Sequence, residues 1–304
     1  MEIYYQGTEI TPFVKTRRAV VRDTCGARCD SLELEFDYAE GWYRWGVKAD
    51  DQIRVTHNGY DSGILYLHSV IPEEGNFRFF ATALPYSARN KEFRSFRGKT
   101  VLEIMRQCAM TSRMDQRVFG IDENTVIPYI QQNNETAAAF LDRLLTMESA
   151  KLKCINGRYT AIGLEYAQQR PAVKTLEISA NQSGGIYLRS GTRTKTLTME
   201  TPFACATAED SQAESAWIQA RISDRPALSD VQAGRWARGL LWDINRKTEK
   251  LILDTTFDPN LSAMVRFDVT GGTDADGEWI VETAEHDLIG ETSKAEMYRC
   301  ITTI

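Results

Sequence analysis

Histidine is scarce in this chain, with 3 in 304 residues, at positions 57, 68 and 286. It is the commonest general base and metal ligand, so chemistry built on it has little to draw on. Glycine-rich phosphate loops, Gly-x-Ser-x-Gly elbows and His-Glu-x-x-His helices are all missing. No apolar run approaches the ~20 residues of a bilayer-spanning helix, and no flexible or low-complexity linker interrupts the chain. Basic residues do not dominate either. The 36 Lys and Arg are outnumbered by 42 Asp and Glu for a net charge of −6, without the basic excess of a general nucleic-acid binder. The first residues, Met1 to Gly7, lack the charged-then-apolar order of a signal peptide, so folding in the cytoplasm is expected. Together these absences lean away from an enzyme and towards a structural role.

What is present reads as β structure first. Ser31–Asp37 alternates apolar and charged residues, putting Leu32, Leu34 and Phe36 on one face. Gln52–His57 does the same with Ile53 and Val55, and the Asn58-Gly59 pair that follows suits a tight hairpin turn. Strands at 64–70 and 77–84 complete a series at about ten-residue spacing, the pattern of a sandwich or barrel. Near residue 98 the period changes. Thr100 and Glu103 fit a capping box ahead of an apolar face made by Leu102, Met105, Cys108 and Ala109. A second helix is expected from about Asn134 to Ala150, and a hairpin over 151–162 turns at Asn156-Gly157. Strands are expected again at 173–178, 185–190 and 193–201, helices at 209–222 and 229–247, and strands at 263–269, 278–285 and 295–301. At about 100–200 residues per domain, the length accommodates two or three units.

One internal similarity stands out. Ile53-Arg-Val, a glycine turn, Ser62-Gly63 and a strand with Tyr66 near its start form one hairpin. Val265-Arg-Phe, a glycine turn two residues longer, Asp276-Gly277 and a strand with Trp279 form another. Two β-hairpins can look alike by chance; the other reading is a duplicated barrel.

Several of these segments resemble a known family. Phe257-Asp-Pro-Asn-Leu261, Val265-Arg-Phe and the run from Asp276-Gly277 to Glu285-His286 are similar to the C-terminal pattern of phage baseplate hub proteins, the late control D group. The helix ending at Ile244-Asn245, the stretch Asn134-Glu135 to Phe140-Leu141-Asp142-Arg143-Leu144, and the step from Arg94 to Leu102 also fit. The group is related to the hub part of type VI secretion spikes. This resemblance implies a mainly β chain with an α/β insertion, in which two similar β-barrel domains form, as a homotrimer, a pseudo-sixfold ring. The expected divisions are 1–94 for the first barrel, 95–170 for the α/β insertion, and 171–304 for the second barrel with helices near 209–247. Whether strands 173–201 belong to the first or second barrel is open. The implied partners are the chain itself, a central spike, a tail tube or tube initiator, and baseplate wedge proteins, in a virion or particle baseplate assembled in the bacterial cytoplasm. The chain has no room for a fused spike or cell-wall-cutting domain, so no enzymatic activity and no cofactor are expected. A carbohydrate- or receptor-binding β protein of the same particle is the alternative.

Candidate chemistry is thin. Cys25 and Cys29, with His57 or His68, have spacing compatible with a structural zinc site, but no second cysteine pair supports it and loop thiols are the simpler reading; no metal is expected. Arg89, Lys91, Arg94, Arg97 and Lys99 form a basic run opposed by Glu92; this is either a solvated loop or a contact with an acidic neighbour. Trp42 and Trp45 lie in an aromatic cluster that either fills a barrel end or anchors a partner, since aromatics and Arg dominate interfaces. Trp42, Trp45, Arg94 and Arg97 are therefore the candidate interface residues. His286, after a long alternating strand, is expected to be structural.

Overall fold

The computed structural model describes residues 1–37, 42, 45–73, 76–178, 185–189, 191–214 and 218–301. The first half of the chain supplies β1 (Glu2–Tyr5), β2 (Thr8–Glu9), β3 (Thr16–Thr24), β4 (Ser31–Asp37), β5 (Gln52–His57), β6 (Tyr60–Asp61), β7 (Leu65–Glu73) and β8 (Asn76–Thr82). The middle holds β9 (Lys91–Thr100), α1 (Val101–Ser112), β10 (Asp115–Phe119), β11 (Val126–Thr136), α2 (Ala137–Met147), β12 (Ala150–Ile155), β13 (Arg158–Gly163) and α3 (Leu164–Gln169). The last part holds β14 (Thr175–Glu177), β15 (Gly185–Arg189), β16 (Thr196–Glu200), β17 (Cys205–Glu209), β18 (Gln219–Ile222) and α4 (Asp230–Asn245). It ends with β19 (Glu249–Thr256), β20 (Arg266–Thr270), β21 (Gly277–Asp287) and β22 (Thr292–Arg299).

A single 14-stranded sheet runs through both ends of the chain, in the order β15-β19-β22-β21-β3-β4-β8-β7-β5-β1-β2, with β20 and β14 beside β21 and β6 beside β5. Its N-terminal half turns one face inward. Ile3, Val21, Leu32, Leu34, Phe36, Ile53, Val55, Leu65, Leu67, Phe77 and Phe79 come from six strands and share one core. Trp42 bridges that core from β1 to β4, its ring 6.4 Å from Tyr5 and 4.8 Å from Phe36, so the half-sheet is rolled on itself as a barrel-like body. The C-terminal half has a separate core of Leu251, Leu253, Phe267, Val269, Trp279, Val281, Ala284 and Met297. The strand order settles what the sequence left open. Strands β14 and β15 pair with β20 and β19, so both belong to the C-terminal half, whereas β16 sits in its own sheet with β17 and β18.

In the middle segment the start of α1, the body of α2 and the hairpin turn fall where local signals put them, whereas β10 and β11 have no counterpart in the sequence reading. Thr100 Oγ1 accepts the Glu103 amide while the Glu103 carboxylate accepts the Thr100 amide, closing the capping box of α1. Leu141, Leu144 and Leu145 of α2 are fully buried, each stabilising by roughly 1.5–3 kcal/mol. The 151–162 hairpin turns at Asn156-Gly157, both with positive φ.

Three expectations are corrected. The helix at 209–222 is instead the end of β17, a loop, and β18, with 215–217 outside the described residues. Among the described residues, the one α-helix over 209–247 is thus α4, followed by a short 3-10 turn at Arg246–Thr248, where helices near 209–247 were expected. Ala-rich sequence suggests a helix there, but Leu197 and Met199 of β16 draw these segments into a small sheet that packs on α4. Strand β19 has no counterpart in the sequence reading, although it lies centrally in its half. The basic run 89–99 is neither a loop nor wholly solvated: it is mostly β9, paired along its length with β11.

The hairpin duplication also changes register. Ile53 pairs with Leu65, and Phe267 with Trp279, so the corresponding residues are Ile53 and Phe267 and the two loops are equally long. The two extra residues lie in the next turn, between β21 and β22. In both halves the ladder to the return strand carries a bulge at the fifth residue past the glycine, His68 after Gly63 and Glu282 after Gly277.

Candidate assembly surfaces and the buried joint

Trp42 is buried, within 4.6 Å of Phe79 and 4.8 Å of Trp45 by ring centroid. In the isolated chain it therefore closes the end of the first core. Trp45 stacks edge-on against it and is 38% exposed, the outer member of the pair.

Arg94 and Arg97 face opposite sides of β9, because side chains alternate along a strand. Arg94 turns inward: its guanidinium donates to Gln132 Oε1 at 2.7 and 2.9 Å, approaches Glu92 at 3.1 Å and donates to Thr111 Oγ1 at 3.2 Å. It ties β9, β11 and α1 together. Arg97 turns outward over the Tyr129 ring at 5.7 Å, on the same face as Phe93, which is 68% exposed. Composition does not separate the two arginines; the alternation of β9 does, once that segment is read as a strand.

The residues whose spacing was compatible with zinc are not brought together. Cys25 is buried, its thiol donating to the Glu282 carboxylate at 3.1 Å. His57 meets Glu291 at 2.8 Å, while His68 packs on Phe80. Among the described residues, no three His, Cys, Asp or Glu side chains are grouped to hold a metal. His286 is fully buried with both ring nitrogens engaged. The Leu261 carbonyl can only accept, so Nε2 carries the proton and Nδ1 accepts from the Ser293 hydroxyl. Burial lowers its pKa, keeping the ring neutral.

Sequence reasoning missed the polar joint where the halves and the middle segment meet. Lys153 of β12 reaches Asp23 of β3 at 2.5 Å and Asp30 at 3.1 Å, all three side chains under 10% exposed. Asp23 also accepts from Ser262 at 2.6 Å and from the Ala263 amide at 2.9 Å, which reach it from the second half. Burial pushes the Asp30 carboxyl up to about 7, with Lys153 opposing and Asp23 adding to the rise. Burial works against charge on Lys153, but Asp23 and Asp30 outweigh it and raise its pKa. Beside this cluster, Arg246 grips Glu282 at 2.7 and 2.9 Å, and Lys151 meets Asp243 at 2.6 Å. Three sequence-distant regions are thus locked by charges that have no water to turn to. A neighbouring cleft between α4 and the middle segment is lined by Glu148, Arg235, Arg266 and Glu278; Arg235 meets Glu148 and Arg266 meets Glu278, each at 2.6 Å. These charges hold structure to structure. No helix among the described residues is long and apolar enough to cross a membrane.

The strand order and this arrangement define a fold shared with phage tail proteins. The chain is similar over 98% of its length to the tail protein from Neisseria meningitidis MC58, with a TM-score of 0.76 at 12% identity, covering 95% of that chain. It is similar over its whole length to the 43 kDa tail protein of prophage MuSo2 from Shewanella oneidensis, with a TM-score of 0.72 at 14% identity and 99% of that chain covered. The Escherichia coli c3393 protein, a type VI secretion component similar to the T4 tail proteins gp27 and gp5, matches at a TM-score of 0.62 and 10% identity, over 98% of this chain and 76% of that one. No family model and no curated protein sequence matches the chain.

Proposed function

We propose that this protein is the structural hub of a contractile phage tail or phage-tail-like particle, a homotrimer that joins the sixfold tail tube to the threefold central spike. The observation that carries this reading is the pair of halves with matching strand order and matching bulges, placed side by side in one sheet. Three copies would present six near-equivalent bodies to the tube while the particle axis stays threefold, and a ring of such contacts closes on itself. Residues 1–94 and 171–304 would be the two ring bodies, with 95–170 set between them. The role is geometric and non-enzymatic; tube or tube initiator, spike and wedge proteins are its partners in the baseplate. Trp45 and Arg97 are the contact residues we assign from the original four, with Trp42 and Arg94 holding them in place.

Mass photometry of the purified full chain, alone and mixed with the spike protein of the same particle, tests the reading. A trimer with a central channel in electron micrographs is expected. A monomer under both conditions overturns it. Saturable glycan binding by that monomer would instead favour the receptor-binding alternative.

A further inference from the structure

Inside one chain, the two halves meet where β3 lies antiparallel to the distal part of β21: Val20 opposite Asp287, Val21 opposite His286, Arg22 opposite Glu285 and Asp23 opposite Ala284. Each of these strands has a counterpart in the other half. The matched bulges set β7 on β21, so Val70, Ile71 and Pro72 correspond to Ala284, Glu285 and His286. Pairing to the next strand sets β15 on β3. Val21 faces Leu32 of β4, and Tyr187 faces Leu251 of β19, so Ile186, Tyr187, Leu188 and Arg189 correspond to Val20, Val21, Arg22 and Asp23.

Among the described residues, the counterpart edges have no partner strand: β15 pairs with β19 alone, and Ser69–Glu73 of β7 pairs with β8 alone. Burial reports the same vacancy. Val20 is 4% exposed inside the internal junction, whereas its counterpart Ile186 is 56% exposed; Leu188 and Ile71 are each 43% exposed. Open edges with outward apolar residues invite strand pairing.

We infer that β15 of one copy pairs antiparallel with the distal part of β7 of a second copy, repeating between subunits the β3–β21 junction found within each subunit. This rests on the trimeric hub reading and names its interface. Transferring the internal register puts Leu188 of one copy opposite Ile71 of the next, with Ile186 diagonal to Ile71, and Tyr187 opposite Pro72. The internal pair at the first of these places is the ion pair Arg22–Glu285, at 2.6 Å. Three internal charged junctions would then alternate with three apolar junctions between copies. The apolar pair excludes water only when the correct neighbour docks, whereas Arg22 and Glu285 are already satisfied and cannot exchange partners between copies.

Pro72 shapes the edge. The Leu288 amide donates to the Ala19 carbonyl across the internal junction, so the alternate amides of His286 and Ala284 face β3 too. Their counterparts are Pro72, which has no amide hydrogen, and Val70. The junction between copies is therefore one donor short and depends more on its side chains, which protects the lone chain from indiscriminate edge pairing.

The test exploits the correspondence. Ile71→Glu alone or Leu188→Arg alone places an unpaired charge at each junction and should raise the concentration for half-trimerisation by about tenfold or more. The double variant I71E/L188R recreates the internal Arg22–Glu285 pair and should restore assembly. Far-UV circular dichroism and thermal melting of the monomers should match the parent, because both side chains are exposed in the single chain. Single variants that trimerise like the parent would place the interface elsewhere and overturn this inference while leaving the hub reading standing. Single variants that fail without rescue in the double variant overturn the register. A parent chain that stays monomeric with and without spike overturns the hub reading and this inference with it.

Discussion

Replacing Lys153 by methionine removes the cation at the joint of the three regions while keeping most of the apolar stem. What remains is Asp23 and Asp30, both buried and facing each other across the vacated ammonium. Breaking a buried pair by removing one partner costs about 3–5 kcal/mol, and the loss should sit at the upper end because one lysine serves two carboxylates. The pH dependence has a definite sign. Asp30 in the folded parent has its pKa raised to about 7, so between the ordinary carboxylate range and that value the folded state holds the extra proton. Stability from this group is present at low pH, falls as pH rises through the window, and levels off above it. Without Lys153 the Asp30 carboxyl loses the cation that opposes its rise, so the deficit of Lys153→Met should be largest near pH 8 and shrink towards pH 5 as Asp30 protonates. Urea unfolding followed by tryptophan fluorescence at both pH values measures it, and K153M/D30N should recover part of the loss near pH 8. A deficit below about 1 kcal/mol near pH 8, or one that does not change with pH, would refute the view that this triad is a dry, mutually dependent cluster.

Arg94→Ala should destabilise the fold by about 1–3 kcal/mol by leaving Gln132 and Glu92 without their donor, whereas Arg97→Glu should shift stability by less than about 0.5 kcal/mol and act only on assembly; paired thermal melts and mass measurements separate the two. Gly239→Ala should cost about 1–3 kcal/mol by overpacking despite a better helix former, since a Cβ there would stand 2.3 Å from the Met147 carbonyl oxygen and 2.6 Å from that of Thr146; a neutral result in urea melts would mean α2 and α4 separate easily. Of the thiols, exposed Cys205 should react rapidly with Ellman's reagent at neutral pH. Cys108, whose pKa burial pushes up to about 12, should react only on unfolding, together with buried Cys25 and Cys154; fast labelling of all six in the native protein would contradict the packing.

Legibility followed the range of the interaction. The Thr100–Glu103 capping box, the Asn156-Gly157 turn and the alternation Leu32-Leu34-Phe36 are decided within a few residues, and each sits where local chemistry puts it. Strand β19 was not legible because its residues gain their partners from β22 and β15, on either side and far along the chain. The misread helix at 209–222 failed for the same reason: alanine favours a helix locally, and tertiary pairing with β16 overrides it. Of the four interface candidates, Trp42 and Arg94 carried the same composition signal as Trp45 and Arg97. Only the direction of each side chain separates a residue that builds the surface from one that forms it.

By itself the sequence determined a mainly β chain with a helical middle and hairpins repeated at its two ends, because periodicity and turn chemistry are local properties. The tertiary structure alone decided that the repeats stand two residues out of the register their letters suggest, that β3 and β21 weld them into one sheet, and that Lys153, Asp23 and Asp30 meet in a dry joint. It also decided which edges stay open among the described residues, since an edge is defined by the strand that is not beside it. That depends on contacts between residues hundreds of positions apart, and no window of sequence contains them.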